Sequence, residues 1–329
     1  MKMLLKSTFA AVALVTSFLS GAASAEEMVI AEPVHSLGYL PMYAAVHNGY
    51  FAEEGIEPTI MTSEGGGAHT NAVLTKQAFA FIGGPEHNAF AKAKGAELRA
   101  VVNVVNRGNV YLVARADVPE PAEGESMSDY LKGKTIATGA YGGTPNSITR
   151  YILASNDLDP QSDVVLRELA TAGIMAALKT KQADIGVLSE PMVTAGIEEG
   201  LWKEPFYNVP KELGPYTYST LNIRQESIEN DPELVEGFVR AISRGLQFTH
   251  DNPEEAAEIA ALEFPTMDPA ALKSTLDRAF ADDLWSADGD IQPEAWETGK
   301  AVVMGADILK QDVPYDDIID MSFWEKLQD

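Results

Sequence analysis

Short apolar segments rich in β-branched residues alternate with helix-like segments along most of this chain, which is the signature of an α/β fold. Residues 28–31, 57–61, 78–82, 98–105 and 110–114 read as strands, and 40–53 and 69–76 read as helices, the first closed by Gly55. Gly83-Gly84-Pro85 opens another helix. Residues 115–126 change character to Pro119, Pro121, Gly124 and several acids, as in a surface loop or a crossing between lobes. The pattern then restarts with a strand at 134–137, a glycine-rich turn at 139–145 and a helix at 146–155. Strands at 164–169 and 184–188 follow, with a helix at 172–179 between them. Residues 216–223 are an extended return segment. From Pro232 the chain is mostly helical, at 232–250, 253–263, 268–282 and 293–309, with Pro253 and Pro269 each in a first turn.

The order strand, glycine-rich turn, helix, strand thus occurs twice, with no repeat of the sequence itself. Ligands of open α/β sheets sit beyond the carboxyl ends of the strands, where these glycine turns fall, so two such lobes facing each other would enclose a cleft. The division expected is 26–114 for the first part of lobe I, 115–217 for lobe II, and 218–329 for the return to lobe I and the C-terminal helices. Hinges are expected near Arg115 and within 216–222.

The 329 residues suit two domains of about 150 each, and 46% hydrophobic residues fill two cores. There is no cysteine, so a disulfide framework and a thiolate metal site are excluded. A net charge of −25, from 24 basic and 49 acidic residues, disfavours nucleic acid and anionic membrane surfaces as partners. Lys2 and Lys6, an apolar run from Phe9 to Leu19, and Ala23-Ser24-Ala25 read as a secretory signal cleaved after Ala25. The run is too short to span a bilayer at about 20 residues per span. Cleavage would take the net charge to −27, and the expected location is the periplasm.

Several segments together resemble one family. Gly38-Tyr39-Leu40-Pro41-Met42-Tyr43-Ala44-Ala45, followed by Asn48-Gly49-Tyr50-Phe51-Ala52-Glu53-Glu54-Gly55-Ile56, is similar to the opening of the NitT/TauT solute-binding proteins of ABC transporters, which include thiamine-precursor binders. Leu131-Lys132-Gly133-Lys134-Thr135-Ile136-Ala137 resembles the start of that family's second lobe. The stretches Pro232 to Ala241 and Asn252 to Ala257 resemble its C-terminal helices. The resemblance implies a type II periplasmic binding fold, two α/β lobes with a ligand cleft between them, and delivery of a small molecule to ABC permease subunits. It also implies a ligand among sulfonates such as taurine, simple anions, or pyrimidines and other heterocycles. No cofactor or metal is expected, and the chain is expected to be a monomer.

The glycine turns supply the candidate ligand contacts. Free N–H groups at a helix start attract anions or carbonyl oxygens, and glycine lets a ligand approach the backbone. In the first lobe this points to Ser63, Glu64, Gly65, Gly66 and His69; in the second, to Tyr141, Gly143, Thr144 and Asn146, with Ser147 beside them. Gly84 and Glu86 follow a strand directly, and Glu86 suits either a ligand amine or helix capping. Glu190, in Ser189-Glu190-Pro191, suits a ligand contact or an interlobe ion pair. Asn106 and Arg107 end a strand, and Arg107 would hold a carboxylate or sulfonate in bidentate fashion or lie at the surface. Tyr39 and Tyr43 would form an aromatic wall, Tyr43 serving equally as core. His35, His47 and His250 read as structural or exposed, and Trp202, Trp285, Trp296 and Trp324 as packing residues.

The chain carries no nucleophile elbow, HExxH or P-loop. Thiamine-pyrimidine synthases share the fold the resemblance implies, so the fold alone does not separate binder from enzyme. A receptor presenting its liganded form to a membrane sensor is a third class open at this point.

Overall fold

The computed structural model describes residues 25–64 and 66–328. Residues 1–24 of the expected leader (1–25), Gly65 and Asp329 lie outside the described residues. Among the described residues ten strands form two five-stranded sheets. The first contains β1 (Glu26–Glu32), β2 (Ile56–Thr62), β3 (Ala80–Gly83), β4 (Leu98–Arg107) and β10 (Pro215–Arg224), in the order β2-β1-β3-β10-β4. The second contains β5 (Tyr111–Ala114), β6 (Thr135–Thr138), β7 (Val165–Glu168), β8 (Ile185–Leu188) and β9 (Tyr207–Asn208), in the order β7-β6-β8-β5-β9. In each sheet one half is parallel: β1 lies parallel to β2 and β3, and β6 parallel to β7 and β8. The other half is antiparallel, through β10 in the first sheet and β5 in the second.

The parallel halves are built from strand–helix–strand units, as the alternating pattern requires. The helix read at 40–53 is interrupted. It runs Leu40–His47, breaks at Gly49, whose φ of 73° belongs to the left-handed region that glycine tolerates, and resumes at Tyr50–Glu53. Helices at Pro232–Asp251 and Pro253–Glu263 follow the expected bounds closely, each with proline in its first turn. The first is strongly amphipathic. Val235, Phe238, Val239, Ile242 and Leu246 all face inward, and burying each large side chain contributes on the order of 1.5–3 kcal/mol.

The crossings between lobes differ from the sequence expectation. Tyr111–Ala114, assigned above to lobe I, pairs with β8 and β9 in the second sheet. Pro215–Arg224, divided above between lobe II and the return, pairs wholly with β3 and β4 in the first. The chain therefore crosses at 108–110 and again at 209–214, not near Arg115 and within 216–222. A Cβ on Gly108 would come within 2.6 Å of Val209 and 3.2 Å of Tyr216, so the two crossings lie side by side. The loop at 115–126 belongs to the second lobe.

The C-terminal helices straddle both lobes. Pro293–Gly305 packs on β10 and on the lobe II helix Thr144–Ser155, while Pro269–Ala281 packs on the lobe II helix Met192–Glu198. Trp202, Trp285 and Trp296 are buried at 2% exposure or less, as packing residues should be.

Between β3 and the edge strand β4 of the first sheet, β10 carries buried polar side chains. Asn222 accepts from Asn88 Nδ2 at 2.7 Å and donates to the carbonyl of Gly83 at 3.0 Å. Replacing one buried partner leaves the other unsatisfied, at a cost of about 1–3 kcal/mol. Asn222→Ala should therefore lower stability by about 2–3 kcal/mol in urea denaturation at unchanged slope. A loss under 0.5 kcal/mol would show that this bond contributes nothing to joining β10 to β3.

Candidate functional site

The strand ends of both sheets open onto one cavity of about 170 Å³. Lobe I contributes Tyr39, His69, Gly83, Gly84, Tyr218 and Ser219. Lobe II contributes Gly143, Thr144, Leu169, Ile174 and Leu188. Most of the wall is apolar, with a few polar groups set into it, the usual make-up of a small-molecule site. Among the described residues lining it there is no Lys or Arg. A cavity of roughly 150 Å³ accommodates one benzene ring, which sets the scale of an occupant.

The lobes touch across this cavity. Thr144 Oγ1, in the first turn of Thr144–Ser155, donates to Glu86 Oε1 at 2.5 Å. Ser36 Oγ donates to the carbonyl of Glu190 at 3.4 Å. Any Cβ on Gly66 would collide with the Tyr141 carbonyl oxygen, so the glycine loops of the two lobes meet backbone to backbone.

Glu86 is 1% exposed, and its other oxygen, Oε2, has no partner. It lies under Gly84, where a side chain would clash with the carboxylate. Burial pushes its carboxyl up to about 7, only partly opposed by the Thr144 hydrogen bond. His69 is 3% exposed with neither ring nitrogen partnered, and burial together with neighbouring His87 holds it well below the usual imidazole range. Burial pushes His87 down to about 4. Burial likewise raises the phenol of Tyr39, which hydrogen-bonds the Ser219 side chain.

Of the candidates read from sequence, the cavity wall brings together Tyr39, Glu64, Gly66, His69, Gly84, Gly143 and Thr144, with Glu86 immediately behind. The others have different employment. Tyr43 is core: its hydroxyl donates to buried Glu32 at 2.6 Å and contacts His35. Ser63 is away from the cavity and donates its N–H to Glu32, extending the sheet. Arg107 pairs with Asp283 at 2.6 Å, and the Asn106 side chain accepts from Asn103. Tyr141 points outward, 56% exposed beneath the Arg150 guanidinium. Asn146 is fully buried and bonded to Gly139, Glu168 and Arg150. Glu190 is buried outside the cavity; it accepts from the Thr194 N–H and hydroxyl and from Arg278 Nε at 2.8 Å. It thereby caps its own helix and forms an ion pair with the helix Pro269–Ala281. His87, Tyr218 and Ser219 line the cavity without having been singled out. The one signal for the last two was the run of polar residues within an otherwise strand-like return segment.

The model of the family described as NMT1/THI5 like matches residues 37–256. YtlA of Bacillus subtilis (strain 168), described as a binding protein with no ligand stated, is 25% identical over 304 residues, covering 91% of this chain and 89% of its own. The riboflavin-binding protein RibY of Chloroflexus aurantiacus is 26% identical over 238 residues, 69% of this chain and 63% of its own. The alkanesulfonate-binding protein SsuA of Xanthomonas axonopodis pv. citri, solved with MOPS bound, superposes with a TM-score of 0.74 at 17% identity, over 92% of this chain and 100% of its own. That likeness establishes the periplasmic binding protein fold.

Glu86 gives the cleft a measurable pH signature. Its carboxyl holds a proton in the folded state, between about 4.5 and about 7, that the unfolded chain has released, so its contribution to stability falls as pH rises through that window. His69 and His87, both depressed, act in the opposite sense, costing stability as pH falls below about 6.5. The wild-type-minus-Glu86→Gln difference isolates the carboxyl. Near pH 4.5 the two should be equally stable, and by pH 8 the variant should be ahead by roughly 1–3 kcal/mol in denaturant titrations. A gap that does not change with pH would show that Glu86 does not titrate in this window.

Proposed function

We propose that this chain, which belongs to the NMT1/THI5-like family, is an exported solute-binding protein that closes its two lobes on a small organic molecule and presents it to the permease of an ABC importer. The carrying observation is the cavity at the strand ends of both sheets, over which Thr144 and Glu86 join the lobes. A ligand touching both lobes favours the closed form by its differential affinity for it, and a permease can read the closed pair as the loaded state. The double crossing supports closure as a rigid-body motion about 108–110 and 209–214. The leader-like residues 1–25 support export to the periplasm. Among the described residues no helix is long and apolar enough to cross a membrane.

The ligand belongs to the small nitrogen-containing, zwitterionic or anionic molecules that the family resemblance implies. Among similar proteins, RibY is named for riboflavin, a nitrogen heterocycle, and SsuA for an alkanesulfonate, an anion. The role proposed is binding without turnover. Thr144 Oγ1 donates to Glu86 across the lobe contact, where the bond joins the lobes, and neither His69 ring nitrogen has a hydroxyl partner among the described residues.

Thermal denaturation of the protein from Glu26 onward, in the presence of sulfonates, carboxylates, amino acids, pyrimidines, purines and flavins, tests this reading. A cleft ligand should raise the melting temperature with concentration and be recovered unchanged after incubation. Conversion of the compound would replace binder with enzyme. Closure has its own test: Gly66→Val should leave the unliganded melting temperature within a few degrees of wild type. It should also weaken the hit at least tenfold by calorimetry, because the side chain holds the loops apart at Tyr141. Unchanged affinity would show that the ligand does not require the lobes to meet there.

A further inference from the structure

After β10 the chain returns once more toward lobe II. The helix Pro253–Glu263 is held to lobe I: it packs on Leu40–His47, the Glu263 carboxylate contacts His35 and His47, and the Phe264 ring lies 4.7 Å from that of His35. Residues 284–286 are held to lobe I as well. There the Leu284 carbonyl accepts from the Asn106 N–H at 2.8 Å, and the Ser286 N–H donates to the Val104 carbonyl at 3.0 Å. The helix between them, Pro269–Ala281, is bonded the other way. Arg278 Nε donates to Glu190 at 2.8 Å, and Thr275 Oγ1 donates to the same carboxylate at 3.5 Å. Just past the helix, Asp282 accepts from Tyr111 Oη at 2.7 Å and from Asn208 Nδ2 at 3.1 Å, and lies 3.1 Å from Lys211 Nζ. Glu190 and Asp282 are both buried. Among the described residues no hydrogen bond or ion pair joins Pro269–Ala281 to Pro253–Glu263. Between those two helices runs an open groove of about 710 Å³, with Ala257, Phe264, Met267, Leu272 and Phe280 in its walls.

We propose that the helix Pro269–Ala281 is a strap that travels with lobe II, so that opening the cleft displaces it against Pro253–Glu263 along the groove and leaves its bonds to Glu190, Tyr111 and Asn208 intact. This rests on the reading of the protein as a solute binder whose lobes close. Pulling the strap from lobe II would leave two buried carboxylates without their donors, a heavy penalty. Sliding it past Pro253–Glu263 breaks no polar bond and only rearranges apolar contacts beside a groove that already exists, which is the geometry of a shear motion. The strap is joined to lobe I by two links, 264–268 and 283–284. The second lies beside the two crossings between the sheets: Asp283 pairs with Arg107, next to 108–110, and Asp282 with Lys211, within 209–214. Three chain crossings side by side define the axis of rotation. The link 264–268, at the opposite end of the strap, is the segment that absorbs the displacement.

The chain has no cysteine, so pairs of introduced thiols can be spin-labelled without competition and their separations measured by pulsed electron paramagnetic resonance. Asn71 and Ser155, exposed on helices that follow the glycine loops of the two lobes, report the cleft. Ser274 and Glu198 report the strap against lobe II, and Ser274 and Glu255 report it against Pro253–Glu263. Each pair is measured in the otherwise wild-type chain and with Gly66→Val, which holds the loops apart. Asn71–Ser155 should lengthen by more than ~2 Å with Gly66→Val, Ser274–Glu255 should shift with it, and Ser274–Glu198 should stay fixed. Arg278→Gln combined with Asp282→Asn should release the strap, seen as a broadened Ser274–Glu198 distribution. A shift in Ser274–Glu198 with Ser274–Glu255 fixed would place the strap in lobe I and overturn the inference while leaving a protein whose lobes move. Should the double variant not fold, the comparison with Gly66→Val decides by itself. An unchanged Asn71–Ser155 separation would remove both the strap and the closure on which it rests.

Discussion

Two short stretches of backbone, packed against each other, are the covalent link between the lobes, and the geometry of the cleft depends on them. Gly108 in the first crossing has no room for a side chain because Val209 and Tyr216 of the second crossing and its following strand press against it. Neither lobe is continuous in sequence: the first sheet waits for β10 to fill the place between β3 and β4 before it is complete. Folding of lobe I therefore requires that lobe II has already been traversed. Loop-closure entropy for so long an excursion grows only logarithmically, so the arrangement costs little in stability while fixing the lobes at adjacent points. The strand ends beyond those points are left to face each other, and that is where the cavity lies.

A second set of contacts limits how freely the lobes can move. The helix Pro269–Ala281 reaches lobe II through Arg278 and buried Glu190, and the residue after it, Asp282, accepts from Tyr111 Oη at 2.7 Å. On its other side this C-terminal layer holds lobe I: Trp285 donates to the carbonyl of Gly38 at 3.0 Å, and Pro253–Glu263 packs on Leu40–His47. Removing one partner of a buried pair costs far more than the pair contributes net, so these bonds specify one arrangement more than they add stability. Any rotation that opens the cleft must either carry the helix Pro269–Ala281 along with lobe II or break its bonds to Glu190 and Tyr111.

Element types were legible because apolar periodicity is a local property: strands and helices appear where the pattern of 2.0 or 3.6 residues puts them, and Pro253 and Pro269 mark helix starts. Sheet membership was not legible at the boundary. Nothing local distinguishes Tyr111–Ala114 as a continuation of the first sheet from a first strand of the second; the choice is made by pairing with β8, more than 70 residues later. The same division runs through the site. Gly66, His69, Gly84, Gly143 and Thr144 fall on the cavity wall because strand-end glycine turns are local features that point at a cleft. Arg107 and Glu190 each had a second reading, a surface charge and an interlobe ion pair, and the partners that take them, Asp283 and Arg278, are distant in sequence and carry no pattern that announces the pairing, whereas Asn146 is held in part by its neighbours Gly139 and Arg150. Charged residues near a cleft are poor guides to its ligand for this reason: a buried charge has usually been paired already.

At the cleft one residue stands against the electrostatic preference that the backbone supplies. The helix Thr144–Ser155 begins at the cavity, and helix starts favour negative charge through their free N–H groups and the macrodipole. In this protein Glu86 of the opposite lobe reaches that helix start, but the bond it accepts comes from the Thr144 hydroxyl and not from the backbone N–H groups. An anion placed there would meet the free N–H groups and the Glu86 carboxyl together, and would be repelled by the carboxyl whenever Glu86 is ionised. The field at the cleft is thus set by groups that face each other at the lobe contact, and the overall charge of −25 does not enter into it.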